Sequence, residues 1–369
     1  MTREAALPAD RDGFARLLAQ RLIVCVGTGG VGKTTTAAAL AVAAARRGRP
    51  TAVITVDPSR RLKDALGVDA LASEPRPVPL GDGAAPLDAM ALDTKRTFDR
   101  LIARVAPTPA LAEHILANRL YQEISSELGG SSEYMAMEKL HELLALDRYA
   151  LIVVDTPPSA DVRELLTAPG RMAELLASQA VQFLKAPASI LSGSPESGLA
   201  RATVATLLRA LERWTGLGLL GELSDFAASF EQLVDGFRAR AAAIATALRA
   251  ADTSFAIVTS PEPNTVAASL AFDAELRAGG YPVAGVIANR VYRFPPLAAG
   301  AASWAPDSLR AKLRANYRDF AALAHRDDAA LRQLAAGTGS APLAIIPVLE
   351  DAPASLAGLA SLADRLMNA

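Results

Sequence analysis

One short segment near the start of the chain combines the residue types that bind phosphate groups. It reads Gly27-Thr28-Gly29-Gly30-Val31-Gly32-Lys33-Thr34, which fits the pattern G-x-x-x-x-G-K-[ST], and Thr35 follows as a further candidate residue. Glycines let the backbone turn tightly enough for successive N–H groups to converge on phosphate oxygens. Lys33 adds a full positive charge, and the Thr34 hydroxyl is a hard oxygen ligand for Mg²⁺. The segment therefore predicts a nucleoside triphosphate site; the alternative is a glycine turn with an incidental lysine.

Two carboxylates stand at the ends of apolar runs further along the chain. Asp155 closes the run YALIVVD and precedes Thr156-Pro157-Pro158-Ser159, which favours a carboxylate that holds Mg²⁺ through water. Asp57 closes TAVITVD, a position from which a carboxylate can orient or deprotonate an attacking water. Helix capping is the alternative for Asp155. For Asp57 the alternative is capping or an ion pair with Arg60 or Arg61.

The elements that must position these residues are short β-branched runs that alternate with stretches rich in Ala, Leu and Arg. This alternation predicts an α/β fold with a doubly wound, mostly parallel sheet, which binds ligands at the carboxyl ends of its strands. Several runs are apolar throughout, as expected for strands that helices cover on both faces. A helix from Thr34 to about Arg47 follows the glycine-rich segment. The predicted strands are 22–26, 51–57, 87–93, 149–155, 255–260, 283–289 and 343–348.

Long helical stretches interrupt this alternation. Over residues 94–147 and again over 161–252, helical spacing continues without a strand. We therefore expect a single domain over 1–369 whose two helical insertions form a helical subdomain. Loop-forming residues are concentrated at 186–198 and 293–306, where we expect the most mobile segments.

Composition limits the partners and metals that the chain can bind. Among 369 residues, 38 Lys and Arg nearly balance 39 Asp and Glu, so no global attraction to nucleic acid or anionic membranes exists. The one cysteine, Cys25, lies in an apolar run and is predicted to be a buried, inert thiol in a reducing cytoplasm. With three histidines besides, a zinc site within one chain is not expected. No apolar run reaches the roughly 18 residues of a membrane span.

The glycine-rich loop and the segments VDPSRRLKDALG and VVDTPPSADVRELL together resemble the ArsA-type ATPases. That family comprises the motors of arsenite pumps and the guided-entry ATPases that carry tail-anchored membrane proteins, and the likeness is greatest to its single-half bacterial members. Shorter segments at 130–134, 258–262 and 286–290 extend it. The resemblance implies a P-loop NTPase fold of the SIMIBI type that binds ATP and Mg²⁺. It also implies a nucleotide-dependent dimer.

The resemblance implies roles for individual residues as well. Asp57 would lie in the switch I segment and activate water, and Asp155 would belong to switch II. Asn289 matches the position whose amide reads adenine, and Pro347 lies where the backbone packs against the base. Glu262 matches a carboxylate near the nucleotide across the dimer interface. A turn residue is the alternative for Asn289, and a surface acid is the alternative for Glu262.

Departures from the family pattern limit what is carried over. The family loop usually begins G-K-G-G, with a lysine that reaches the partner's phosphates in a homodimer, and this chain has Thr28 at that position. Either the dimer contacts the phosphates weakly, or another residue such as an arginine substitutes, or the chain pairs with a related subunit that retains the lysine. The CxxC pair and the cysteine cluster of other members are missing from the sequence, so neither an interfacial zinc nor an arsenite site is expected.

These features favour an ATP-hydrolysing conformational switch in the cytoplasm, a homodimer or a heterodimer with a related ATPase subunit. Its helical subdomain would engage a hydrophobic protein client or a membrane partner; the apolar segment Trp214–Gly221 would line a client groove or pack on its own core. A ParA/MinD-like positioning ATPase is one alternative, but the last helix, Ala354 to Met367, carries just Asp364 and Arg365 as charged residues. A P-loop kinase or amidoligase and a non-hydrolysing regulatory subunit are others. The choice between ATP and GTP stays open.

Overall fold

A computed structural model describes most of the chain outside the second helical insertion. The described residues are 7–56, 61–68, 70–119, 121–122, 125, 132–157, 166–168, 170–171, 229, 233–294, 304, 306–349, 353 and 355–368. The chain divides into two compact units. The first comprises Met1–Leu92, Leu143–Arg163 and Leu248–Ala369, and the second comprises Asp93–Glu142 and Glu164–Ala247.

The first unit contains an eight-stranded sheet. Its strands are β1 (Leu22–Val26), β2 (Thr51–Thr55), β3 (Arg76–Pro77), β4 (Leu87–Ala91), β5 (Leu151–Asp155), β6 (Thr253–Thr259), β7 (Val283–Val291) and β8 (Ala344–Pro347). They lie in the order β3-β4-β2-β5-β1-β6-β7-β8, and every neighbouring pair is parallel except β3 with β4. The predicted α/β class with a mostly parallel sheet is confirmed, and each of the seven predicted strands is present.

Helices connect the strands of this sheet and form the second unit. In chain order they are α1 (Arg11–Ala19), α2 (Lys33–Arg46), α3 (Arg61–Leu66), α4 (Thr94–Val105), α5 (Pro109–Ala117), α6 (Ser132–Ala145), α7 (Val234–Leu248), α8 (Pro263–Ala278), α9 (Asp307–Thr338) and α10 (Leu356–Asn368). The helices α4 and α5, with most of α6 and α7, belong to the second unit. None of the helices in the described ranges has both the length and the apolarity that crossing a membrane requires.

The core of the first unit is centred on α2. Every residue from Thr36 to Ala45 is fully buried, and β1 and β5 are buried along their whole length. The small alanine side chains let α2 lie close to the sheet, and Leu359 and Leu362 of α10 belong to the same apolar cluster. A helix covered on two sides needs an apolar surface all round, which the alanine-rich sequence provides.

The strand order explains why several loops meet at one edge of the sheet. Because all strands but β3 are parallel, their carboxyl ends share an edge, and ligand sites of such sheets form there. The central strand β1 lies between β5 and β6 and leads into the glycine-rich loop. On the other side of β6, the neighbouring strands β7 and β8 end beside each other, with Val291 paired to Pro347.

The second unit is held together by aromatic packing and a buried charge pair. The ring centroids of Phe98 and Phe237 are 6.3 Å apart, and those of Tyr134 and Phe237 are 6.2 Å apart. The carboxylate of Glu138, 2% exposed, accepts hydrogen bonds from the Arg240 guanidinium. The described part of 94–147 contains α4, α5 and α6, and most of 161–252, including loop 186–198 and Trp214–Gly221, lies outside the described residues.

The sequence did not predict β3. This strand has two exposed residues, Arg76 and Pro77, in a stretch rich in proline and glycine that indicates a loop. Proline is tolerated here because β3 lies at the edge of the sheet, where one side of the backbone needs no partner strand. Strand ends also shift by a few residues, and β7 continues beyond the predicted end to Val291, so Asn289 lies within the strand.

Candidate functional site

The loop between β1 and α2 has a backbone conformation that favours glycine at three positions. Gly27, Gly30 and Gly32 have φ angles of 148°, 79° and 95°. Space restricts two of them further. A Cβ atom on Gly27 would lie 2.1 Å from the carbonyl oxygen of Val258, and one on Gly32 would lie 2.3 Å from Asn289 Nδ2. The loop is therefore packed closely against the ends of β6 and β7.

Lys33, the first residue of α2, is folded back over this loop. Its side chain is 5% exposed, and its ammonium group donates to the carbonyl oxygens of Gly27 and Thr28 at 2.8 Å each. An ammonium group is a compact donor on a flexible stem, so it can exchange such carbonyls for phosphate oxygens. The N–H groups of the first turn of α2 and its dipole favour an anion at the same place.

A cavity of about 370 Å³, here called the phosphate-side cavity, opens in front of this loop. Five of the predicted loop residues line it, together with residues from α3, the segment after β5 and the end of β7. Its described lining consists of Gly30, Gly32, Lys33, Thr34, Thr35, Arg61, Asp64, Ala65, Thr156, Arg290 and Pro353. Gly27, Thr28, Gly29 and Val31 shape the loop without lining this cavity in the described part of the chain.

Asp155 lies at the carboxyl end of β5, beside Cys25 of β1 and Thr55 of β2. Its carboxylate is fully buried and accepts a hydrogen bond from Thr55 Oγ1 at 2.9 Å. The next residue, Thr156, donates from its hydroxyl to the Cys25 carbonyl oxygen at 2.8 Å and lines the phosphate-side cavity. These bonds fix the segment that leaves β5 against the strand that leads into the loop.

The structure confirms that Cys25 is buried, as the sequence predicts. The side chain is 0% exposed, burial raises the pKa of its thiol, and the nearby Asp155 carboxylate raises this pKa further. The group therefore stays a protonated thiol at neutral pH, and thiols are poor nucleophiles and metal ligands in that form. Cys25 thus acts as a small core residue of the central strand.

A second cavity of about 310 Å³, here called the base-side cavity, lies at the ends of β7 and β8. It contains Asn289, Pro347 and Glu262, so the structure brings together three residues that are distant in the sequence. The apolar side chains that follow β8 give it a wall suited to a flat, largely apolar group. Its described lining consists of Gly32, Thr35, Glu262, Asn289, Arg290, Tyr292, Arg326, Ile346, Pro347, Val348, Leu349, Pro353 and Leu362.

The amide of Asn289 links β7 to the glycine-rich loop. Its Nδ2 donates to the Val31 carbonyl oxygen at 2.8 Å, and its Oδ1 accepts from the Arg290 backbone N–H at 2.9 Å. Both bonds orient the side chain within the base-side cavity. Asn289 therefore has a structural role, and each of its polar atoms retains capacity for one further hydrogen bond.

Glu262 and Thr28, two further residues of the predicted site, make few side-chain contacts in the described part of the chain. Glu262 is the N-cap residue of α8, its side chain makes no capping bond, and it is exposed at the base-side cavity. The Thr28 hydroxyl is buried and has no hydrogen-bond partner within the described residues.

Two segments of the predicted site lie outside the described residues. They are Asp57 with residues 58–60, and residues 158–161 after β5. The role of Asp57 therefore stays a prediction.

Comparison with known proteins now identifies the group to which this fold and loop belong. The sequence pattern of the ArsA-type family, described as anion-transporting ATPases, matches residues 20–296. The chain belongs to this family. The predicted resemblance is thereby confirmed, and membership of the ArsA-type family supports a nucleotide-dependent ATPase activity.

Individual relatives of the ArsA-type chain match over shorter stretches. An uncharacterised protein of Streptomyces coelicolor is 32% identical over 182 residues, which is 47% of this chain and 45% of the relative. An ATPase ASNA1 homologue of Paramecium tetraurelia is 31% identical over 146 residues, 40% of this chain and 43% of the relative. The ATPase get3 of Aspergillus terreus is 30% identical over 162 residues, 42% and 45% respectively. The chain thus spans less than half the length of these curated relatives.

Sequence reasoning missed several residues that line the two cavities of this ArsA-type chain. Arg290 follows Asn289 directly, so a cation after a polar residue at a strand end was a usable signal. Tyr292 and Arg326 gave no such signal in the sequence. Tyr292 lines the base-side cavity because it follows β7, and Arg326 lines it from α9. Among the described residues, no cluster of three or more His, Cys, Asp or Glu side chains could hold a metal ion.

Proposed function

We propose that this chain is an ATP-hydrolysing conformational switch that binds Mg²⁺·ATP across the two cavities. The observation that carries the proposal is that both cavities share Gly32 and Thr35 at the start of α2. One cavity is built from the loop that suits phosphates, and the other has an amide and an apolar wall that suit a base. A nucleoside triphosphate has these two parts joined in one molecule.

Two oxygen donors, one lining the phosphate-side cavity and one buried beside it, are of the kind that Mg²⁺ binds. Thr34 supplies a hydroxyl at this cavity, and Asp155 supplies a buried carboxylate next to Thr156, which also lines it. Hydroxyl and carboxylate oxygens are ligands that Mg²⁺ prefers, usually with several retained waters. When bound, the ion would neutralise charge on the phosphate oxygens. We propose that Thr34 and Asp155 hold it, Asp155 through water.

The residues of the chain would divide the work of hydrolysis. The loop amides from Gly27 to Thr35 and the Lys33 ammonium would bind the β- and γ-phosphates, with Lys33 exchanging its loop carbonyls for phosphate oxygens. Asn289 and Pro347 would hold the base, with Glu262 near the nucleotide. Asp57, at the end of the run TAVITVD, would orient the attacking water and accept its proton.

The proposal includes a dimer and a partner, which the family resemblance supports. Nucleotide binding would close an assembly of two related subunits, and hydrolysis would open it. The second unit would then change its hold on a hydrophobic protein client or a membrane partner. Thr28 in place of a lysine leaves both a homodimer and a heterodimer within the proposal. A cytoplasmic location fits the single reduced, buried Cys25.

The experiment that tests this function separates binding from hydrolysis. Asp57→Asn keeps the size of the side chain but removes its basicity, so we expect ATP affinity near that of the wild type and a single-turnover rate lower by at least about a hundredfold. Both are measured with radiolabelled Mg·ATP and excess protein. Asp82→Asn, at an exposed acid of a surface turn, is the matched control. A normal single-turnover rate in Asp57→Asn would show that Asp57 does not activate the water. Absence of ATP hydrolysis by the wild type would refute the proposed ATPase activity.

A further inference from the structure

Arg290 lies where the phosphate-side and base-side cavities meet. It belongs to the described lining of both, as do Gly32, Thr35 and Pro353. Of these four shared residues it is the one with a charge. Its side chain is exposed, so the guanidinium is accessible to a ligand that extends from one cavity to the other.

The backbone of Arg290 is held in a conformation that its residue type rarely adopts. Its φ is 59°, in the left-handed region that disfavours side chains with a Cβ atom. The Asn289 side chain stabilises this backbone conformation by accepting a hydrogen bond from the Arg290 N–H, and the same side chain donates to Val31 of the loop. Asn289 therefore fixes the position of Arg290 relative to the phosphate-binding loop. Strained positions of this kind occur most often where function requires them.

The charge of Arg290 is not neutralised by an ion pair within the described part of the chain. The other cations at the two cavities differ from it. Lys33 donates to two loop carbonyls, and Arg326 forms a 2.8 Å ion pair with the buried Asp327. Arg61 belongs to the described lining of the phosphate-side cavity but not to that of the base-side cavity. A guanidinium presents a planar set of donors that matches phosphate oxygens.

We propose that Arg290 binds the phosphate nearest the nucleoside, the α-phosphate of a bound nucleotide. The inference rests on the proposed function and adds to it a residue that determines which part of the nucleotide is recognised. A cation at the junction of the two cavities meets the charge that directly follows the ribose. Arg290 should therefore contribute to the binding of ATP, ADP and AMP alike. It should not contribute to the binding of adenosine, which has no phosphate.

The test measures binding of ATP, ADP, AMP and adenosine to wild-type protein and to Arg290→Asn. Asparagine tolerates the left-handed conformation better than most residues, so this change removes the charge and spares the backbone. We expect affinity for the three phosphorylated ligands to fall by about tenfold or more and adenosine affinity to stay unchanged. Arg290→Lys should recover part of the loss, and Arg290→Gly should repeat it without backbone strain.

Arg293→Asn is the matched control, because Arg293 is an exposed arginine on the same segment that lines neither cavity in the described chain. Wild-type affinity for AMP in a folded Arg290→Asn or Arg290→Gly variant would overturn the inference and leave the proposed function intact. An equal loss for adenosine and AMP would also overturn it, since the residue would then serve the base. A wild type that binds no ATP would overturn the inference and the proposed function together.

Discussion

The contact between Gly32 and Asn289 determines how closely the phosphate loop approaches the end of β7. Gly32 has a φ of 95°, and a Cβ atom there would lie 2.3 Å from Asn289 Nδ2. Asn289 in turn donates to Val31 within the loop. A side chain at position 32 would therefore displace the amide that orients Arg290 and lines the base-side cavity. Two effects would add there, backbone strain and loss of an oriented hydrogen-bonding group.

The variant Gly32→Ala would introduce both effects, and a control variant at a glycine with open space would introduce backbone strain alone. We expect ATP affinity to fall by more than about tenfold, because the loop and Asn289 cannot keep their positions together. Gly280→Ala is the matched control, since Gly280 has a φ of 71° and open space where a Cβ would be. It should lower the free energy of unfolding by about 1 kcal/mol and leave ATP affinity unchanged. ATP titration and urea unfolding measure both; equal ATP affinities in the two variants would contradict this account.

At the level of single residues, the sequence located a local motif whose role in phosphate binding stays a prediction. The glycine-rich loop is contiguous, and its residues that line the phosphate-side cavity were all predicted. Asn289, Pro347 and Glu262 required the family resemblance, because their proximity arises from the neighbouring positions of β6, β7 and β8 in the sheet. The left-handed backbone of Arg290 depends on a side-chain hydrogen bond that no local sequence pattern specifies.

Among the elements, the central strand β1 positions the glycine-rich loop that follows it and pairs with the strands on both sides, β5 and β6. Cys25 of β1 is paired with Asp155 of β5 and Ala256 of β6. Such a strand is apolar throughout because helices cover both faces of the sheet, and the same property made it predictable. The edge strand β3, with two exposed residues, has no apolar pattern and was missed.

The buried Cys25 thiol predicts a pH dependence of stability that belongs to this strand. Burial, with the Asp155 carboxylate, raises its pKa in the folded protein, whereas in the unfolded chain a thiol ionises at about pH 8.5. Above that pH the unfolded state loses a proton that the folded state keeps, so the free energy of unfolding falls as pH rises. We expect the wild type to lose up to about 1.4 kcal/mol per pH unit between about pH 9 and 10 relative to Cys25→Ala.

Urea unfolding of both proteins at a series of pH values from 7 to 10 measures this difference. The two stability curves should run parallel near pH 7, where the thiol is protonated in both states, and converge at higher pH as the wild type loses stability faster. Curves that stay parallel up to pH 10 would show that the folded thiol ionises normally. The comparison of slopes is unaffected by the cavity that the alanine leaves, since that cost is independent of pH.

At the scale of the whole molecule, two features of the sequence were decisive. The alternation of apolar runs with helical stretches predicted the α/β class, and the near balance of charge gave no global electrostatic argument for a nucleic-acid partner. The sheet order then places the loop after β1 at the same edge as the ends of β5, β7 and β8. The sequence assigned the expected partners to the helical subdomain, and its apolar segment Trp214–Gly221 lies outside the described residues. The partners stay predictions.

We propose above all that the glycine-rich loop and Lys33 bind the triphosphate, and titration of Lys33→Ala with Mg·ATP tests this binding. Loss of the Lys33 ammonium group, which reaches over the loop, should weaken ATP binding by about a hundredfold or more, because hydrogen bonds to charged groups contribute about 1.5–3 kcal/mol each. Lys312→Ala, at an exposed lysine of α9, should bind ATP as the wild type does. Wild-type ATP affinity in a folded Lys33→Ala protein would contradict the account.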